Sequence, residues 1–290
     1  MKIAFIVRST LYTVPGGDTV QVIQLAKELR KLNVGIDIFL TNDPIEYKAY
    51  DLFHFFNIIR PADILFHVDR INKPFLISPI LVDYSEYDSY HRHGIPGFIL
   101  RQFSAGRREY IKTIFRWLSG KDVLRSKGYL WKGQQKSIKE IIEKSALLLP
   151  GSQKEYEKLK ELSGRDRNYI VAPNGIDQTV FCPDKEIGKD NKLVVCAARI
   201  EGIKNQLNLI KALNNTSYTL ILVGSPGPNH KNYYKQCKKT AAKNVQFYDH
   251  VPQDVLIDYY KVAKCMHCRA GLKHAGFLHS KRQPWDAILR

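Results

Sequence analysis

The first 181 residues contain no cysteine, and the five that exist, Cys182, Cys196, Cys237, Cys265 and Cys268, all follow them. An odd number gathered toward one end is no disulfide framework, and a reducing cytosol is the simpler reading. No apolar run approaches the ~20 residues a membrane-spanning helix needs. The opening "MKIAFIVRST" is too short, has no small-residue cleavage site behind it, and reads as a first strand. Acidic residues are scarce: 28 Asp/Glu stand against 45 Lys/Arg, a net charge of +17. That balance favours anionic partners such as nucleotides, phosphate groups, acidic lipids or nucleic acid, without choosing among them. A second C-x-x-C is also missing. Cys265 and Cys268, with His267, His274 and His279 irregularly spaced around them, therefore lack the two converging turns of a structural zinc site. A solvated tail is the alternative, and no metal is expected.

What is present is alternation. "KIAFIV", "VGIDIFL", "DLFHFF", "PFLISPI" and "SALLLPGS" are strand-length apolar runs. Between the first two, Val22, Leu25, Ala26, Leu29 and Leu32 recur at helical spacing, and "QKEYEKLKELSG" is a helix closed by Gly164. The polar "FCPDKEIGKDN" reads as a linker. A second series follows, with strands at "KLVVCAARI", "YTLILVGS" and "NVQFYDHV". Its helices are "KNQLNLIKALNN", "NYYKQCKKTAAK" and "PQDVLIDYYKVAK", the last started by Pro252. Two such blocks predict two doubly wound α/β domains, with ligands at the carboxyl ends of the strands and the expected site in the cleft between the domains.

Several residues sit where that architecture places chemistry. Gly16 and Gly17 lie between first strand and first helix, where a close backbone approach to an anion or an ordinary turn are both open readings. His54 and Asn57 of "HFFN" fall at the end of the third strand, and Asp83 follows the fourth. A histidine in such a place is either a site residue or part of the core. In "AARIEGIKNQ", Arg199 ends a strand and Lys204 opens a helix, a pair of cations suited to a diphosphate or simply solvated at the surface.

In this order, "GGDTVQVIQLAKELRKLNVGIDIF", "PNGID…VFCP", "AARIEGIKNQLNLIKAL", "LILVGS" and "NVQFYDHVPQDVLIDYYKVAK" resemble the retaining GT-B glycosyltransferases of the family-4 type (glycosyl transferases group 1), from Met1 to about Lys264. The resemblance implies two Rossmann-like domains facing a cleft. Residues 1–180 would take the acceptor, residues 181–264 would form a partial nucleotide-sugar domain, and residues 265–290 would be a tail outside the family pattern. It implies a sugar moved with retention from a nucleotide-sugar, a substrate rather than a cofactor, to a glycan or lipid-linked acceptor in polysaccharide biosynthesis, with no metal required. Arg199 and Lys204 match the donor-phosphate residues, and Gly16 and Gly17 match the glycine loop. His250 and Val251 fall by position at the nucleobase pocket. Asn57, Asn174 and Gly224 are assigned to donor or acceptor binding. The histidine that family members carry after the fourth strand has no counterpart, and Asp83, with His54, is taken as catalytic in its place.

After Lys264 the pattern breaks. The family's next strand, its "PS", its two glutamates and its "LEAAA" are replaced by "CMHCRAGLKHAGFLHSKRQPWDAILR". Taking the third base of each codon with the first two of the next, permitted synonymous choices allow VHALPSWFETCGLSSLEAAAMGCNI. The tail is therefore expected to be out of frame, the second domain incomplete and lacking the strand that should follow "NVQFYDHV" and its helix, and catalysis impaired.

Residues 101–140 hold eleven Lys/Arg against three Asp/Glu, interleaved with aromatics. Tyr110, Ile111, Ile114, Phe115 and Leu118 form an apolar helical face. Such a helix either lies on an anionic membrane, placing a cytoplasmic protein on the inner face, or packs on its own domain. Two other classes stay open: a nucleic-acid binder, though no recognised binding motif appears and specific nucleic acid is not expected, and a non-catalytic remnant that binds without turnover.

Overall fold

A computed structural model describes residues 1–81, 105–120, 123–175, 188–227, 230–249 and 251–266. The chain divides between Asn174 and Gly175 into two compact units.

The first unit is a five-stranded parallel sheet of order β2-β1-β3-β4-β5, made of β1 (Lys2–Val7), β2 (Gly35–Leu40), β3 (Leu52–Phe56), β4 (Phe75–Ser78) and β5 (Leu147–Leu148). Its helices are α1 (Gly17–Lys31), α2 (Pro61–Val68), α3 (Ala105–Leu118), α4 (Lys127–Lys144) and α5 (Gln153–Ser163). Strand side chains alternate between the faces. Ile3, Phe5 and Val7 of β1 join Val22 and Ala26 of α1 in one core cluster. Ala4 and Ile6 join residues of α2, α4 and α5 in the other. Both faces are covered, which is why β1 and, apart from His54, β3 read as apolar runs. The helical spacing in α1 holds until Leu32, which caps the helix and is exposed. Gly164 ends α5 in the left-handed conformation, φ 72, its N–H donating to Lys160 O.

The second unit is a four-stranded parallel sheet of order β8-β7-β6-β9, made of β6 (Asp190–Ala197), β7 (Thr219–Val223), β8 (Val245–Tyr248) and β9 (Ala263–Met266). Its helices are α6 (Gln206–Leu213), α7 (Lys231–Thr240) and α8 (Gln253–Val262), the last capped by Pro252. One face packs Cys196, Leu220 and Leu222 with Ile210 of α6 and Cys237 of α7, and the other packs Leu193, Val195, Ile221 and Val223 with Ala263. Burial raises the Cys237 thiol pKa to about 11, so it stays protonated and inert.

Two expectations change. The strand held to be missing after the last helix is present in part: β9 pairs with β6 in parallel, Val194 opposite Cys265 and Val195 opposite Met266. A backbone ladder offered by a neighbouring strand overrides the weak β-propensity of "AKCM". The linker ends earlier than read, because its last two residues, Asp190 and Asn191, already belong to β6.

Candidate functional site

In the second unit the chain leaves β6 toward β7, while β9 lies on the other side of β6. The carboxyl end of β6 is thus the point where the strand order reverses, the usual ligand-binding position in such sheets. The turns leaving β6 and β7 stay paired beyond the sheet. Ala198 N–H donates to Val223 O at 3.0 Å and Ile200 N–H to Ser225 O at 3.0 Å. Gly224 makes this approach possible. Its φ is +141, and a Cβ there would sit 2.2 Å from Ala198 O, so no other residue fits without moving the turn.

The β6 turn then forms a short 3₁₀ turn, Gly202–Lys204, and Asn205, at φ 58, starts α6. Gln206 is 1% exposed and its Nε2 donates to Arg199 O at 2.9 Å, tying the start of the turn to its end. Its Oε1 is buried and accepts no hydrogen bond among the described residues. Tyr233 of α7 accepts Leu207 N–H at 2.9 Å, satisfying one of the orphan donors at the helix start.

Arg199 is exposed and Lys204 half-buried. Among the described residues neither pairs with a carboxylate. Glu201 lies between them in sequence, but its Oε2 sits on the side of Gly227. Arg199, Lys204 and the start of α6 thus belong to one turn, with neither cation paired to a carboxylate among the described residues, an arrangement that can hold a diphosphate.

In the first unit the order reverses between β1 and β3. Here the cation is enclosed. Arg8 forms a two-bond fork with Asp18, Nε to Oδ2 at 2.5 Å and Nη2 to Oδ1 at 3.0 Å, and also donates to Thr10 and to Val14 O. It fastens the turn that carries Gly16 and Gly17. Gly16 caps α1, its N–H donating to Thr19 Oγ1 at 3.0 Å, and open space surrounds the position of a Cβ on Gly17. A concavity of about 240 Å³ lies alongside, lined by Val7, Arg8, Thr41, Phe56, Asn57 and Arg60. Asn57 is held at φ 68 while its N–H donates to Ser78 O at 3.0 Å. Its Oδ1 is buried without a partner among the described residues, an acceptor suited to a hydroxyl. A second concavity, of about 340 Å³, shares Arg60 and Asp63 and is walled by Thr113, Arg116, Trp117 and Tyr129. Tyr129 is pushed up to about 12 by burial, so it is a neutral hydrogen-bonding group.

His54 is in the middle of β3, not at its end. Its ring stacks on Phe56 at 4.2 Å, meets Phe5 edge-on at 5.1 Å, and Nε2 bonds Ser78 Oγ at 2.8 Å. Burial lowers its pKa to about 3, so the ring is neutral and enclosed in the sheet, away from both concavities. Asn174 is exposed at the end of the first unit, and Val251 packs against the α8 face of the second sheet. Asp83 and His250 lie outside the described residues. The structure thus brings Arg199, Lys204 and Gly224 together, and separately Gly16, Gly17 and Asn57 near the end of β1 and β3. Arg8, Gln206 and Tyr233 went unnoticed in the sequence, where an arginine after a strand and a glutamine opening a helix carry no signal. Among the described residues no three His, Cys, Asp or Glu side chains gather as a metal site, and no helix is long and apolar enough to cross a membrane.

Residues 177–278 match the family model described as glycosyl transferases group 1. The match runs on past Lys264, farther than the motifs reach. No curated protein matches the chain. Among solved structures, sucrose-phosphate synthase from Thermosynechococcus elongatus is similar at 16% identity and a TM-score of 0.70, covering 96% of this chain and 77% of that one. Anabaena HepE in complex with UDP-glucose is similar at 17% identity and a TM-score of 0.58, covering 93% and 74%. The lipopolysaccharide outer core galactosyltransferase WaaB in its apo form reaches 12% identity and a TM-score of 0.52, covering 93% and 74%. These likenesses are of fold. The α/β architecture with parallel sheets is that of the GT-B glycosyltransferases, and the family match falls within the second unit.

Proposed function

We propose that this protein is a glycosyltransferase of the family-4 type that moves a sugar, with retention, from a nucleotide-sugar to a glycan or lipid-linked acceptor. Its setting is polysaccharide biosynthesis on the cytoplasmic face of a membrane. The observation that carries this reading is the Arg199–Lys204 couple at the carboxyl end of β6, inside the matched region and without a carboxylate partner among the described residues. As the sugar–phosphate bond breaks, negative charge grows on the departing diphosphate. Fixed cations and helix amides aimed at that charge stabilise it more as it develops, which is the electrostatic route to catalysis and calls for no metal. Gly224 lets the turn that leaves β7 approach the backbone at Ala198 closely, and Gln206 ties the Arg199 carbonyl to the start of α6. Val251 and His250 follow β8 and are our assignment for the base.

The acceptor is assigned to the first unit, at Gly16, Gly17 and Asn57, with Asp83 as the carboxylate near its hydroxyl. Asn174 is assigned to the same ligand set. His54 is left out of the chemistry, because a ring enclosed among Phe5, Phe56 and Ser78 reaches no substrate. Since the HepE structure holds UDP-glucose, a UDP-sugar is the first donor to test. Turnover is proposed to be low. Residues 265–290 contain Asp286 and no glutamate, so the acidic pair that would hold the donor sugar is absent.

The test is a thermal-shift panel of nucleotide sugars followed by a transfer assay on this chain and on one rebuilt in the other frame after Lys264. Donor binding by both chains, with much faster transfer by the rebuilt one, is the expected result. Binding without any transfer in either chain makes the protein a non-catalytic remnant. Sequencing the gene decides the frame directly: the acidic motif is encoded there or it is not.

A further inference from the structure

We propose that α3 is an in-plane membrane anchor, its exposed apolar stripe entering an anionic phospholipid bilayer beside the 340 Å³ concavity. Arg107, Ile111, Phe115 and Leu118 recur at intervals of four, four and three, so they share one face of the helix. Phe115 is 68% and Leu118 71% exposed, and Trp131 at the start of α4 is 90% exposed. The stripe points outward because the other side of α3 is held by α4: Tyr110 OH donates to Leu130 O at 2.8 Å and its ring meets Tyr129 at 5.4 Å.

The charge around the stripe fits an anionic surface. Arg107 and Arg116 of α3 are exposed, as is Lys127 at the start of α4. The nearby acids are already neutralised, Glu109 by Lys112 at 2.7 Å and Glu140 by Lys132 and Lys144 at 2.6 and 2.8 Å. Aromatic and aliphatic side chains ringed by cations combine apolar insertion with attraction to acidic lipid, each too weak alone. With 14 residues α3 is about 21 Å long, short of the ~30 Å hydrocarbon core, so it lies along the surface.

The same helix walls the larger concavity through Thr113, Arg116 and Trp117. A bilayer docked on α3 would bring lipid headgroups to a pocket rimmed by Arg116. That last step rests on the proposed transfer to a lipid-linked acceptor; the anchor itself does not.

The experiment is co-sedimentation of the full chain with vesicles of phosphatidylcholine, with and without phosphatidylglycerol, at low and high salt. Wild type is compared with the Phe115→Ser/Leu118→Ser variant, whose replaced side chains are exposed and whose melting should be unchanged. The expected result is binding to the anionic vesicles only, weakened by salt, and reduced about ten-fold or more by the two serines. Blue-shifted tryptophan emission on binding, lost in a Trp131→Phe variant, would support insertion. Equal binding to neutral and anionic vesicles overturns the proposal, as does equal binding by variant and wild type. So does a dimer that the two serines abolish, since the stripe would then be a self-interface. Vesicle binding without nucleotide-sugar binding would refute the transferase reading and leave the anchor standing.

Discussion

Arg8 and Arg199 occupy matching places in the two units, each in the turn that leaves the first strand of a parallel sheet. Arg8 is enclosed by Asp18, Thr10 and Val14. Arg199 is exposed and unpaired among the described residues, and the backbone around it, not its side chain, is what Gln206 fixes. The comparison teaches that position at a sheet's switch point does not by itself make a cation a ligand group. What matters is whether its charge is already answered. The first unit uses its arginine to hold a loop; the second leaves its own without a carboxylate partner among the described residues.

Acid should separate the units most strongly. His54 and His67 are both buried in the first unit, with pKa values lowered by desolvation to about 3 and about 4. The unfolded chain takes up protons near pH 6.5, whereas the folded chain does not. The first unit therefore loses stability as pH falls from 6.5 toward 4, by about 3 kcal/mol for each ring at the lower limit. Hydrogen exchange at pH 7 and pH 4 should show protection falling in the strands of the first unit well before those of the second. Equal loss in both would break the comparison.

Next in size is the arginine pair itself. Arg8→Ala strands a largely buried Asp18 and should cost about 3 kcal/mol in urea unfolding, while Arg199→Ala should change stability by less than about 0.5 kcal/mol. Similar losses from the two would contradict the assignment of roles. Gly224→Ala should cost about 2 kcal/mol or more, because φ +141 and the 2.2 Å approach to Ala198 O both oppose a side chain. It should also weaken nucleotide binding, since the turn carrying Arg199 must shift; unchanged stability and affinity would remove Gly224 from the site. Gln206→Leu sharpens the same point on a smaller scale. It removes the bond to Arg199 O together with the unsatisfied Oε1, so stability should move by about 1 kcal/mol at most, while nucleoside-diphosphate affinity falls a few-fold. Intact affinity by calorimetry would show that Gln206 only packs.

Much of the fold was legible because both sheets are parallel and covered on two faces, so β1, β3, β6 and β7 appear as apolar runs separated by helix-spaced segments. Gly164 and Pro252 marked helix ends for stated conformational reasons, and the structure has them there. β9 was not legible, since "AKCM" has little strand character and is set by the ladder offered by β6. His54 misled because a histidine inside an apolar strand looks the same whether it faces a ligand or Phe5 and Ser78. The Arg199–Lys204 couple could be named from sequence, but its lack of a carboxylate partner among the described residues could not, and neither could the complete pairing of Arg8. Those facts depend on where side chains from distant segments end.

The most direct test of the account is calorimetric titration of UDP into three proteins: wild type, Arg199→Ala/Lys204→Ala, and Arg8→Ala at a pH and temperature where it stays folded. Charge-assisted hydrogen bonds of about 1.5–3 kcal/mol each predict that the double variant binds at least about ten-fold more weakly with its melting unchanged, while Arg8→Ala keeps near wild-type affinity. Equal affinity of wild type and the double variant would contradict the claim that the open cations at the end of β6 hold the donor diphosphate.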